Sequence, residues 1–456
     1  MNLFYLRRLG LLAAVVCAAP GCGSSSQKAV NMGGEDTGDR PGMSDGGSSA
    51  GGSGAVSDGG MGNPANGSGG HATGGSSTVA NGGAMLGTGK VSPVVCSETG
   101  ERPSTAPVLT PGVWVDITPP GVNKADEQTM IGQGITTDPC NPSVIYWGNT
   151  PYDSGYGGLF RSIDGGANWT KLGDPAADSD QWDDKTTYLD EVLHLRIDPG
   201  NNQHFYAGDG VRGKTQGFWI SNDSGNTWVR PPNFPGKQTG YDIYDIAVDP
   251  TDFKHALASF HSGWTNNPNA GVVETKDGGD TWILHPPQDG WGAGHSIKFL
   301  YDPEHHVGNA NTWLLGTQGG GYFRTEDGGQ TWKKVSDSGI AHGGGSLYYA
   351  SNGYVYVSGT PHSLRSKDNG VTWETLDPFG GFTCVYGDGN LLYTGKLNLE
   401  APGEPILQSA ESDGLAWTKY NDQPFRNGPY EMAMDPVNHI IYSSNWTSGV
   451  WTLKIK

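Results

Sequence analysis

From about residue 112 onward the chain alternates apolar and polar positions in short runs, broken at regular intervals by Gly, Pro, Asn and Asp. Runs such as Gly158-Leu159-Phe160-Arg161-Ser162, Gly217-Phe218-Trp219-Ile220-Ser221 and Gly321-Tyr322-Phe323-Arg324-Thr325 have the two-residue period of half-buried strands. Upstream of most of these runs stands a strand that ends in Asp-Pro, then a short turn, then a second strand. The Asp-Pro pairs are Asp138-Pro139, Asp198-Pro199, Asp249-Pro250, Asp302-Pro303 and Asp435-Pro436. A further strand follows each run, so the pattern predicts units of four antiparallel strands.

Between the third and fourth strand of each unit the same octapeptide recurs. Its clean copies are Ser162 to Trp169, Ser221 to Trp228, Thr275 to Trp282, Thr325 to Trp332 and Ser366 to Trp373, and a worn copy ends at Trp417. Self-similarity at such a spacing signals a radial array of sheets. The hydroxyl and the carboxylate are suited to bonding the backbone of a tight hairpin, and the glycine to a left-handed turn position. The octapeptide aspartates are therefore read as structural rather than catalytic.

Six units complete themselves, over about 130–173, 190–231, 242–285, 295–335, 344–377 and 381–420. The seventh supplies three strands after Tyr430 and then the chain stops. The stretch Gly112 to Pro120 resembles the fourth-strand text Thr227 to Pro232, so the N-terminal strand is expected to close the ring and remove its exposed edges. The expectation is an all-β, seven-bladed β-propeller with four-stranded blades over 112–456.

The octapeptide, Ser/Thr-x-Asp-x-Gly-x-x-Trp, resembles the Asp-box or BNR repeat. The resemblance covers 112–456 and implies kinship with a superfamily that includes sialidases, xyloglucanases, sortilin-type receptors and a photosystem II assembly factor. Since these relatives differ in activity, the repeat implies fold and leaves function to the site. The three substrate-clamping arginines and the Arg-Ile-Pro motif of sialidases are not seen here. Xyloglucanase-type hydrolases take one catalytic Asp from each of two propellers, and this chain has length for one, so no catalytic residue is carried over.

Ahead of the blades the composition changes. Arg7 and Arg8 precede an apolar run, Leu9 to Ala19, that ends in small residues and Cys22, the layout of an export signal. The run Ala19-Pro20-Gly21-Cys22 resembles a bacterial lipoprotein signal, which implies lipidation at Cys22 after cleavage. Residues 23–92 hold most of the chain's excess over ordinary glycine usage, 74 residues in all, and almost no large apolar side chain, as expected of a disordered Gly/Ser-rich tether. A lead-in segment, 93–111, follows. The expected location is outside the cell, on the outer membrane or cell surface, with plain secretion as the alternative; the chain is expected to be monomeric.

The formal net charge of −19 disfavours nucleic acid and anionic headgroups as partners. In an oxidising compartment Cys96 and Cys140 are placed to form a disulfide at the start of the folded region, whereas Cys384 lies in an apolar strand and is expected to be buried and inert.

Antiparallel blades put the first-to-second and octapeptide turns on one face and the remaining, longer connections on the other, which is where function is expected. Trp182, Trp264, Trp291 and Trp446 all fall on those long connections, as exposed platforms for a sugar ring. Tyr188, Arg212, Tyr241, His295 and Arg426 are expected to line the same subsites. Asp190, Asp242 and Glu431 are the candidates for the acid and base pair of glycoside hydrolysis. Asp178, Asp180, Asp183 and Asp184 form a solvated acidic loop or a calcium site, and no transition-metal set is visible.

The best sequence reading is a tethered protein acting on an extracellular glycan or glycoconjugate as a glycoside hydrolase, with no cofactor required. A non-catalytic glycan- or protein-binding propeller is the main alternative. A polysaccharide lyase using Tyr or His as base is a lesser one.

Overall fold

Each predicted Asp-Pro turn is built by one carboxylate. Asp249 Oδ1 accepts the N–H of Thr251 at 2.8 Å, Asp198 Oδ1 that of Gly200 at 2.8 Å, and Asp435 Oδ1 those of Val437 and Asn438 at 3.0 Å. Proline is tolerated between them because its missing N–H would have had no partner in the turn. The octapeptide closes the other hairpin by the same economy. In the copy starting at Thr325, Oγ1 accepts the Gly329 N–H at 3.1 Å and donates to Asp327 Oδ1 at 2.7 Å, and that carboxylate takes the Thr331 N–H at 2.9 Å. Gly329 stands at φ 81°, a conformation that side chains resist.

The worn copy solves the turn differently. Ala410 replaces the hydroxyl residue, and the Gly414 N–H goes to the Ala410 carbonyl at 2.7 Å. Glu411 then turns inward, where its carboxylate takes the Tyr348 hydroxyl, the Ser351 hydroxyl and the Gly389 N–H.

The computed structural model describes residues 101–122, 131–150, 157–173, 185–210, 215–236, 242–261, 270–340, 345–376, 384–395, 405–426 and 428–456. All of these lie in the compact unit spanning 75–456. They form seven antiparallel sheets arranged as a ring, a seven-bladed β-propeller. The innermost strands, in blade order, are Ile131–Thr137, Val192–Asp198, Ile243–Asp249, Ala293–Asp302, Leu347–Tyr349, Cys384–Gly387 and Glu431–Asp435.

The seventh blade takes its outermost strand from the other end of the chain, as expected. Trp114–Asp116 pairs antiparallel with the last strand, Trp114 opposite Leu453 and Asp116 opposite Trp451. The second blade departs from the expected count. Lys185–Thr186, on the way in from blade 1, adds a fifth strand outside Trp228–Val229, covering what would be a bare edge.

Apolar cores fill the spaces between neighbouring blades. Ile135, Ile145, Trp147 and Phe160 of blade 1 meet Ala433, Ile440, Tyr442 and Val450 of blade 7, and the Trp147 Nε1–H donates to Ser444 Oγ at 2.9 Å. Cys384 is buried with a free thiol, and Cys140 is disulfide-bonded to a partner outside the described residues. Cys22 and Cys96 lie outside the described residues as well.

Candidate functional site

The first strands of blades 1 to 4 all carry an irregularity at the same end, the end facing the long connections. Register shifts fall between Gly132 and Ile135, Val192 and His194, Ile243 and Asp245, and Ala293 and His295. A bulge frees a backbone group and re-aims a side chain, and in blades 2, 3 and 4 the shift ends on His194, Asp245 and His295, all buried.

Asp245, fully buried, is the centre of the resulting cluster. Its Oδ1 stands 3.2 Å from Arg196 Nη2 and 3.7 Å from His194 Nδ1, and its Oδ2 accepts the Ser296 hydroxyl at 2.6 Å and a proton of Lys298 Nζ. Burial alone would raise its pKa; the cations Lys298 and Arg196 outweigh that and hold the carboxyl below its ordinary value. Arg196 is further anchored by the carbonyls of Ile246 at 2.8 Å and Leu195 at 3.0 Å. His194 is pushed down to about 3, chiefly by burial, and is therefore neutral at physiological pH.

Glu431 opens the first strand of blade 7. Burial pushes its carboxyl up to about 7, against the opposing pull of Arg196, the Ile135 N–H and Lys298. Near Asp245 and Glu431 lies the buried hydroxyl of Tyr386, which has no hydrogen-bond partner. One ring of blades thus holds two carboxyl groups whose environments push their affinities for a proton in opposite directions. That is the arrangement acid–base chemistry needs.

A further pair of carboxyl groups sits at the mouth of blade 2. Asp190 Oδ1 and Asp209 Oδ2 lie 2.8 Å and 2.5 Å from the single hydroxyl of Thr215. Around the rim in blade 3, Asp242 Oδ2 is 3.2 Å from His261 Nδ1, and the His261 ring stacks on Tyr244 with centroids 4.9 Å apart.

Asp190 and Asp242 just precede the innermost strands of blades 2 and 3, and Glu431 opens that of blade 7, each of them buried at the end facing the long connections. The aromatic expectations need correction. Trp291 is 7% exposed and serves as core, edge-on to Trp332 at 5.3 Å, because the interblade space admits a ring from this connection. Tyr188 is equally buried, its hydroxyl donating to the Gly157 carbonyl at 2.7 Å, and His295 is buried with Nε2 2.7 Å from the Gly292 carbonyl. None of these three presents an open platform.

Trp446 is partly exposed beside Tyr430, ring centroids 5.6 Å apart, and Arg426 is exposed. Trp182, Arg212, Tyr241 and Trp264 lie outside the described residues, as do Asp178, Asp180, Asp183 and Asp184 of the acidic loop or calcium site. Among the described residues no group of three or more His, Cys, Asp or Glu side chains is arranged to hold a metal ion.

Arg196, Lys298, Asp209 and Thr215 are site residues that the sequence reading passed over. Arg196 and Lys298 did leave a trace, as long cations inside the apolar runs Leu193 to Ile197 and Ile297 to Leu300. Asp209 and Thr215 left none.

No protein-family model matches the chain. Among curated proteins it is similar to the xyloglucanase Xgh74A of Acetivibrio thermocellus, 25% identical over 346 residues that make up 72% of this chain and 36% of that protein. It is also similar to the oligoxyloglucan-reducing-end-specific xyloglucanase of Emericella nidulans, 26% identical over 221 residues, 45% of this chain and 25% of that one. The chain therefore spans about a third or less of the length of these relatives. Among solved structures, YCF48 bound to D1 peptide aligns with a TM-score of 0.50 and 14% identity, covering 77% of this chain and 99% of that one. The extracellular domain of the hybrid two-component system BT4673 from B. thetaiotaomicron aligns with a TM-score of 0.51 and 12% identity, covering 74% and 39%. These two structures share the propeller fold, and the curated relatives are xyloglucanases.

Proposed function

We propose that the chain is the propeller of an exported glycoside hydrolase acting on an extracellular glycan, with xyloglucan as the first polymer to test. The observation that carries this reading is Glu431, a carboxyl group at the axial mouth that burial holds near 7 while Asp245 in the same ring stays ionised. A carboxylic acid still protonated near neutrality is what departure of a glycosidic oxygen requires. The similarity to xyloglucanases supports the substrate class.

In this mechanism Glu431 donates its proton to the leaving oxygen as the sugar C–O bond breaks. Asp190 or Asp242 acts from the opposite face, either removing a proton from the attacking water or attacking the sugar carbon itself. Arg196 and Lys298 limit the rise in the Glu431 pKa, so its proton is held but not locked. Trp446 and Arg426 supply stacking and hydrogen bonding to the glycan, with Trp182, Trp264, Arg212 and Tyr241 extending the subsites. The N-terminal signal is read as placing a lipid on Cys22, with the Gly/Ser-rich tether holding the propeller off the membrane.

The test is reducing-end release from xyloglucan and a panel of other plant, algal and host glycans by the purified protein. Glu431→Gln should abolish release while glycan binding survives, and Asp190→Asn and Asp242→Asn identify the second carboxylate. A second reading, a non-catalytic glycan- or protein-binding propeller, is favoured by the commitment of Asp242 to His261 and of Asp190 to Thr215. Binding without release from every polymer would establish that reading instead.

A further inference from the structure

The Thr215 hydroxyl is asked to do more than one hydroxyl can. It accepts the Asp190 backbone N–H at 3.0 Å, lies 2.8 Å from Asp190 Oδ1, and lies 2.5 Å from Asp209 Oδ2. A threonine hydroxyl has one proton to donate and two lone pairs to accept with. If both carboxyl groups were ionised, one of the two short contacts would set oxygen lone pairs against each other with no proton between them. A single extra proton resolves the geometry: one carboxyl donates to Thr215, and Thr215 donates to the other.

The structure indicates which carboxyl carries it. Asp209 is fully buried, and among the described residues its Oδ1 has no hydrogen-bond partner. An ionised carboxylate there would be a charge out of contact with solvent and, among the described residues, without a cation beside it, a costly arrangement. Asp190, 6% exposed against 0% for Asp209, receives the Thr215 proton. Glu191, also buried, presses its carboxyl group against Gly210, where even a Cβ would approach to 2.6 Å, and adds a third negative charge that Asp209 must avoid facing as an anion. Burial first, then the charge of Asp190, raises the Asp209 pKa well above the ordinary value.

We infer that Asp209 is a permanently protonated positioning residue, donating through Thr215 so that the Asp190 carboxylate is held ionised and in one orientation at the mouth of the propeller. The inference rests on the hydrolase reading only in giving Asp190 a reaction to serve; the proton on Asp209 stands apart from it. Relay of this kind is a hydrogen-bond chain in which each member fixes the rotamer of the next.

Two measurements on the full-length protein test it. In protein labelled with ¹³C at the Asp carboxyl carbons, one resonance, absent from Asp209→Asn, should keep the protonated chemical shift from about pH 5 to about pH 8, where ordinary aspartates are ionised. A resonance for Asp209 that is ionised at neutral pH would overturn the assignment. So would its ionisation on adding Ca²⁺ or Mg²⁺ alone, which would make the cluster a cation site.

The second measurement is glycan release. Asp209→Ala should lower kcat by about tenfold or more and raise the acidic limb of the kcat/KM profile, while Asp209→Asn, whose amide still donates to Thr215, should restore both. Equal loss in both variants, with folding intact by circular dichroism, would overturn the positioning role. If the wild-type protein releases no sugar, the hydrolase reading fails while the carboxyl resonance still decides where the proton sits.

Discussion

Glu431 Oε2 in blade 7 accepts the backbone N–H of Ile135 in blade 1 at 3.1 Å, which ties the mouth of the propeller to the seam where the ring closes. The N–H is available because the first strand of blade 1 slips register between Gly132 and Ile135. Gly134 makes room for the contact: a Cβ there would lie 2.5 Å from the Leu193 carbonyl oxygen and 3.4 Å from Glu431 Oε2.

Because folding raises the Glu431 pKa from 4.5 to about 7, its contribution to stability is fully present below about pH 4.5 and is lost as pH rises toward 7. Ionising it in place costs about 3 kcal/mol. Glu431→Gln should therefore melt at a higher temperature than wild type at about pH 8 and show no gain at about pH 4. Calorimetric melting temperatures across that range check the sign; a uniform loss at every pH would contradict it.

Asp245 faces two buried cations, Arg196 and Lys298. Asp245→Ala leaves both uncompensated and should cost about 3 to 5 kcal/mol in urea unfolding. Adding Lys298→Met to Asp245→Ala should recover part of the loss, and a double-mutant cycle measures the coupling directly.

His255 lies between two carboxylates, Nδ1 3.0 Å from Asp249 Oδ2 and Nε2 2.8 Å from Glu274 Oε1, so both ring nitrogens donate only as the imidazolium. Burial opposes that charge, but the two carboxylates prevail and the pKa is raised. This contribution is complete below pH 6.5 and fades as pH climbs through the raised value. Glu274, on which burial is outweighed by His255, His285 and Lys276, is held at about 2, so its contribution persists until strongly acid pH. Stability of the seam between blades 3 and 4 should fall as pH rises above 6.5 in wild type but not in His255→Asn, read by amide hydrogen exchange at Leu257 and Val272.

Trp114 is 9% exposed and meets Phe425 edge-on at 5.1 Å, the anchor of the closing strand. Trp114→Ala should cost about 3 to 5 kcal/mol. Removing residues through 118 bares the last strand and should bring aggregation, visible by light scattering.

The octapeptide turns give a control. Thr325→Val removes an acceptor for the Gly329 N–H and a donor to Asp327, and should cost about 1 to 3 kcal/mol without altering glycan release.

Strand periodicity, the Asp-Pro turns and the octapeptide were legible because each is a local rule: alternation chooses a sheet, and a side chain two or four residues away closes the turn. Closure by the stretch around Trp114 was legible for a similar reason, since fourth-strand text recurs and an open sheet edge demands a partner. The positions of Asp190, Asp242 and Glu431 at the starts of inner strands followed from the same count.

The fate of the aromatic residues did not follow. Trp291 looks like a loop platform by its neighbours in the chain, yet Phe323 and Trp332, about 30 to 40 residues later, form the core it enters. The pairing of Asp209 with Asp190, of Asp245 with Arg196 and Lys298, and of Glu431 with Ile135 was equally hidden. Each joins residues of different strands or blades, and proton affinity depends on how much water and opposing charge those strangers leave behind. Alternation and turn chemistry act over a few residues and are written in the chain; desolvation and charge pairing act through space, and only the closed ring sets them.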